Sequence, residues 1–268
     1  MKQYNKNKLK ETHIFEELKE WFEGYVKEFY QNQEDREEID LKYKHSYRVY
    51  KNSNRLAKDI GLSDEDLEIA NIIGLFHDLG RFEQFKRYKT FSDSDSLNHG
   101  ELSVKLLKEY KLLEDLSAEK KHIIYQAIHN HNKLNIPEST TGQALLFSRL
   151  IRDADKLDIW SIFARRYHNG NNNEKINLDL SSKNGITPEI YHRVLDGKPV
   201  LYSSLQTVDD FKLIQLGWVY DLNFVESLIL LKEKNFLEKI YQSMNQSVET
   251  EKIYNKINEY INNKIDKR

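Results

Sequence analysis

The segment IANIIGLFHDLGR, residues 69–81, is apolar on nearly every side of a helix until it reaches adjacent His77 and Asp78. A helix without a polar face is stable only when other elements surround it. The fold must therefore be built around this stretch. The surrounding elements are expected to be helices as well, because three prolines and ten glycines are too few turn residues for a many-stranded sandwich. With 39% hydrophobic and 31% charged residues, the chain can fill a core and still cover it with charge. The expected fold class is all-α.

Apolar spacing places a first helix from about Lys8 to Gln31, with Ile14, Leu18, Trp21, Phe22 and Tyr25 on one face. The charged break NQEDREEID follows, then a helix from about Leu41 to Ile60 closed by Gly61. Ser63 and Asp66 form a capping-box-like start for the apolar helix, which is expected to stop at Gly80. TFSDSDSLN, residues 90–98, reads as a polar loop, and Asn98 with Glu101 caps a helix whose apolar face is Leu102, Leu106 and Tyr110. Further helices are expected near Ser117–His131 and Thr141–Tyr167. HNGNNNEK is the clearest linker, which puts a helical core carrying the site at residues 1–168 and a helical C-terminal extension at 169–268. The extension has a turn at DGKP and a terminal helix, EKIYNKINEYINNKIDKR. Its stripe of Leu213, Leu216, Trp218, Tyr220 and Phe224 reads as core packing before it reads as a docking surface.

Burying an imidazole beside a carboxylate is costly without partners. For an isolated His77–Asp78 pair, a backbone carbonyl and a neighbouring cation would be the simpler account. Four further residues change that reading. His45 begins HSYRV with Arg48 on the same side of its helix. His99 sits in the first turn after the polar loop, and His131 projects with Ile124, Ala127 and Ile128. Asp155 lies among Ile151, Ile159 and Ile162, so an inward carboxylate there needs a cation. Six nitrogen and oxygen donors directed into one helical core suffice for two metal ions that share Asp78. Within the same clusters, His129 faces away with His122 and Tyr125, and Asp153 suits a helix ion pair with Arg149. Asp158 can orient a ligand histidine or pair along its helix. There is no cysteine, so disulfides and thiolate ligands are excluded. An imidazole and carboxylate set suits Fe, Mn, Co, Ni, Zn or Mg.

The order His45, His77–Asp78, Asp155 resembles the H…HD…D signature of the HD superfamily of metal-dependent phosphohydrolases. His99 in NHGELSVKLL and His131 in AIHNHNK resemble the two extra histidines of its dinuclear branches. FHDLGR is similar to the family's HD-(I/L)-G-(K/R) segment, and RDADKLD to its A-D-x-L-D helix. The similarity spans roughly residues 40 to 165. It implies an HD-type helical bundle that hydrolyses phosphoesters, commonly of nucleotides, through metal-activated hydroxide. The G-Y-P of the cyclic-dinucleotide branch is missing, since HNKLNIPES follows the histidine pair instead.

On this resemblance the expected activity is hydrolysis of a phosphomonoester or phosphodiester of a small nucleotide-like molecule. Two divalent ions would be held by His45, His77, Asp78, His99, His131 and Asp155. Asp78 would bridge, and His99 or His131 would turn to acid catalysis in a one-metal form. Arg48, Arg81, Lys133 and Lys156 are the candidates to clamp the phosphate. A di-iron oxygenase with the same donors is one alternative, and a non-catalytic metal- or nucleotide-binding sensor is another. G-x-S-x-G and Walker-type loops are absent, which removes the usual serine-hydrolase and P-loop signatures. The net charge of −2 gives no global field toward nucleic acid or anionic membrane. MKQYNKNKLKETHIF lacks the apolar core of a signal peptide, so a cytoplasmic location is expected, and self-association is left open.

Overall fold

The structure, a computed structural model, describes residues 14–168, 180 and 185–268. It divides into two compact units, Met1–Asp155 and Lys156–Arg268. The described residues form α-helices and short 3₁₀ turns, with no β-strand among them. None of these helices is long and apolar enough to cross a membrane. Most of the expected linker, residues 169–175, and the first residues of the expected N-terminal helix lie outside the described residues.

The first unit contains α1 (Ile14–Lys27), α2 (Arg36–Asp59), α3 (Asp64–Phe76), α4 (Leu79–Tyr88), α5 (His99–Glu109) and α6 (Ala118–Asn130), together with the start of α7 (Gly142–His168). Helix α3 is the buried centre: Ile69, Ala70, Ile72, Ile73, Leu75 and Phe76 are all at most 4% exposed. Ser63 accepts from the Asp66 amide at 3.2 Å and caps it, as its sequence suggests. Helix α2 begins earlier than its apolar pattern alone indicates, because Glu37 and Glu38 in its first turn complement the N-terminal end of the helix dipole. It closes at Gly61, whose φ of +75° admits the left-handed turn.

Helix α1 seals one side of α3 with aromatic rings. Phe22 is fully buried and meets Phe76 and Phe82 edge-on, with ring centres 5.6 and 5.8 Å apart. The opposite requirement, close approach, is met by glycines. A side-chain carbon on Gly74 would lie 2.8 Å from the Tyr50 backbone, so α2 and α3 touch there. One on Gly80 would lie 2.5 Å from the His99 carbonyl, and one on Gly100 would lie 3.1 Å from the Ile128 carbonyl. Gly80 therefore does not stop the apolar helix as its position suggests. Helix α3 ends at Phe76, His77 and Asp78 form a turn, and Gly80 lies inside α4, where it lets α5 approach.

The second unit holds the end of α7, then α8 (Pro188–Leu195), α9 (Val208–Gly217), α10 (Val225–Glu233), α11 (Phe236–Gln242) and α12 (Val248–Ile265). Helix α9 starts with a reciprocal Thr207–Asp210 capping box and is buried almost throughout. Trp160 is fully buried and donates its indole N–H to the Gln215 carbonyl at 2.8 Å. Leu213 and Leu216 are fully buried, and Trp218, Tyr220 and Phe224 are half-buried, so the stripe is core packing.

Candidate metal centre

The first unit brings the six expected donors together. His45 comes from α2, His77 and Asp78 from the turn between α3 and α4, His99 from the first position of α5, His131 from just beyond α6, and Asp155 from α7. His45, His77, Asp78, His99 and His131 are buried, and Asp155 is half-buried.

Asp78 divides the donors into two groups. Its Oδ2 lies 3.5 Å from His45 Nε2 and 3.9 Å from His77 Nε2. The same two nitrogens are 3.2 Å apart, and Asp155 Oδ1 is 3.2 and 4.0 Å from them. Asp78 Oδ1 lies 3.2 Å from His99 Nε2 and 3.7 Å from His131 Nε2, which are 2.9 Å from each other. Donors bound about 2.1 Å from one cation stand about 3.0 Å apart when adjacent and about 4.2 Å apart when opposite. Every separation above falls close to or within that interval.

The ring tautomers point the same way. His77 Nδ1 donates to the Gly74 carbonyl at 2.9 Å, and His131 Nδ1 to the Ile128 carbonyl at 2.6 Å. His99 Nδ1 lies 2.7 Å from an Asp93 carboxylate oxygen. A carbonyl or ionised carboxylate can only accept, so these Nδ1 atoms carry the protons and the Nε2 lone pairs face the centre. Two lone pairs 2.9 Å apart repel unless something positive lies between them. Protons are disfavoured in that role, because burial lowers His77 to about 3 and His99 to about 4. The donor set fits metal cations.

Burial pushes the Asp78 carboxyl up, but Lys42 and the surrounding imidazoles outweigh it and hold the group well below the usual carboxylate range. Asp155 is also lowered: burial raises it, and its contact with His45 reverses that. Both acids are ionised and ready to bind.

The other expected residues are more dispersed. Arg81 Nε is 3.7 Å from Asp78 Oδ1, yet its Nη1 donates to Asp93 Oδ1 and to Gln84 Oε1, each at 2.8 Å, and to the Phe91 carbonyl. Nη1 thus ties down the 90–98 loop, whereas Nε has no hydrogen-bond partner among the described residues. Arg48 is half-buried one turn beyond His45. Lys133 is half-buried after His131, and its carbonyl accepts from Arg152. Lys156 pairs with Asp221 at 2.7 Å. Asp158 is buried. Asp153 is fully buried while Arg149 is exposed, unlike an ordinary surface pair.

Lys42 escapes the sequence reading. Its Nζ lies 3.0 Å from Asp78 Oδ2 and 5.1 Å from the centre of the Phe91 ring. The one available signal is its place three residues before His45, on the same helix face. Asp93 and Asn132 were also missed; both contact His99 Nδ1, and Asn132 Nδ2 donates to Asp93 at 3.0 Å.

The family model for the HD domain matches residues 43–160, which include all six donors. No curated protein and no solved structure matches the chain significantly.

Proposed function

We propose that the chain, whose residues 43–160 are an HD domain of a metal-dependent hydrolase superfamily, hydrolyses a phosphomonoester or phosphodiester of a small nucleotide-like molecule. The observation that carries this reading is Asp78, with one carboxylate oxygen in each of two donor groups. His45, His77 and Asp155 complete one group, and His99 and His131 the other. Divalent cations bound there would supply an activated water and charge to offset the developing phosphoryl oxyanion.

The chain's own residues do the positioning. Gly74 and Ile128 carbonyls fix the His77 and His131 rings with Nε2 inward. The half-buried carboxylate of Asp155 and ammonium of Lys42, with side chains 21% and 17% exposed, mark the side from which a substrate can reach the centre. Lys42 offers a fixed cation for phosphoryl oxygens at that opening. Arg48 is a second cation on the same helix. A chain of net charge −2 whose cations are local to this opening suits a small anion better than a polymer backbone.

The test is phosphate release from a panel of nucleotides and simple phosphomonoesters. Chelator-stripped protein reloaded with Mn or Fe is compared with Asp78→Ala. Metal-dependent turnover that falls by at least about a hundredfold in the variant is expected. Equal turnover in both proteins would defeat the reading.

A further inference from the structure

His99 is held differently from its neighbours. The Nδ1 partners of His77 and His131 are neutral backbone carbonyls, whereas His99 Nδ1 faces both oxygens of Asp93, at 2.9 and 2.7 Å. Asp93 is itself fixed. Arg81 donates to its Oδ1 at 2.8 Å, Gln84 to the same oxygen at 3.0 Å, and Asn132 to its Oδ2 at 3.0 Å. Gln84 is fully buried and also donates to Ser96 Oγ and the Leu97 carbonyl, each at 2.8 Å.

This matters because the two donor groups are unequal. One has His45, His77, Asp155 and Asp78 Oδ2, which is four protein donors with a carboxylate of its own. The other has His99, His131 and Asp78 Oδ1, which is three donors and only a share of one negative charge. A carboxylate hydrogen-bonded to a ligand imidazole makes its other nitrogen more basic and fixes the ring's direction. Asp93 returns to the poorer group, through His99, the negative charge it lacks.

We propose that Asp93 is a positioning residue that enables the His99–His131 group to retain its cation, and so decides whether the centre holds one ion or two. The proposal rests on the metal-centre reading above, but not on the identity of the reaction. It gives the 90–98 loop a role beyond a turn. Arg81 serves this role as well, since its guanidinium holds Asp93 in place.

The experiment is titration of the chelator-stripped full chain with Co(II), followed by calorimetry and by the visible absorption of the bound ion. The native protein should take up two equivalents with distinct affinities. Asp93→Asn should keep the tighter one, bind the second about 10- to 100-fold more weakly, and lose the second ion's share of the spectrum. Ser96→Ala loosens the same loop but keeps the carboxylate, and should bind both ions as the native chain does. Equal second-site affinity in Asp93→Asn and the native chain would overturn the proposal. So would equal weakening in Asp93→Asn and Ser96→Ala, because the loop and not the carboxylate would then be responsible. Uptake of a single equivalent by the native chain would overturn it too. If the native protein bound no Co(II) at all, the metal-centre reading itself would fall. Absence of phosphate release with two ions bound would count against the hydrolase reading alone.

Discussion

Replacing Gly80 with alanine tests whether backbone contact sets the spacing of the metal donors. The new methyl group would lie 2.5 Å from the His99 carbonyl oxygen, 2.9 Å from the Ser103 amide nitrogen and 3.0 Å from Leu102 Cβ. Ordinary contact begins near 3.4 Å, so α5 must retreat by 0.9 Å along the first of these directions. None of the three atoms is the end of a flexible side chain, so rotation of a rotamer cannot relieve the clash. His99 is the first residue of α5 and shifts with it. Metal–ligand distances tolerate only about 0.2 Å, so the His99–His131 group should lose its cation while the His45–His77–Asp155 group keeps its own. The stability effect is smaller. Overpacking costs about 1–3 kcal/mol, and alanine's better helix propensity returns about 1 kcal/mol. A net loss of about 0–2 kcal/mol corresponds to a fall in Tm of at most about 8 °C. Metal titration and thermal unfolding measured on the same Gly80→Ala sample separate the two effects. A variant that binds the second ion with native affinity would refute the reasoning, whatever its Tm.

Three further outcomes are expected. Chelation should lower Tm, because a cation present at about 100 times its Kd stabilises the folded chain by about 2.7 kcal/mol; differential scanning fluorimetry with and without chelator reads this, and an unchanged Tm would count against a resident metal. Lys42→Met keeps an unbranched apolar side chain but removes a charge-assisted contact worth about 1.5–3 kcal/mol, so kcat/KM for a phosphorylated substrate should fall about 10- to 100-fold, with Lys42→Arg retaining more of it. Phe22→Ala, in the aromatic cluster with Phe76 and Phe82, should cost about 3–5 kcal/mol in denaturant unfolding and leave metal stoichiometry unchanged in the folded fraction.

Much of the centre could be read from the sequence because local signals carried it. The apolar run of α3, the Ser63 and Asn98 caps, and the inward spacing of His131 and Asp155 are all set by residues within a few positions of one another. What could not be read depends on tertiary approach. Asp93 and Asp95 look alike in SDSDS, and only the folded loop places Asp93 on His99. Lys42 looks like one more solvated lysine until α2 packs beside the Asp78 turn. Arg81 follows the HD pair and reads as a phosphate ligand, and only the folded loop shows that its Nη1 also holds Asp93. Gly80 reads as a helix stop because glycine so often is one, whereas its role here is steric.

Two kinds of contact within the first unit obey different rules of substitution. Where Phe22, Phe76 and Phe82 meet, rings fill a volume, and exchanges that conserve bulk can be absorbed by repacking. Where Gly74, Gly80 and Gly100 sit, there is no volume to exchange, since main chain rests against main chain or nearly so. A library that randomises the aromatic cluster should yield many folded proteins with the ion spacing intact. One that randomises the three glycines should yield few, and those should be recognisable by the ion they have lost.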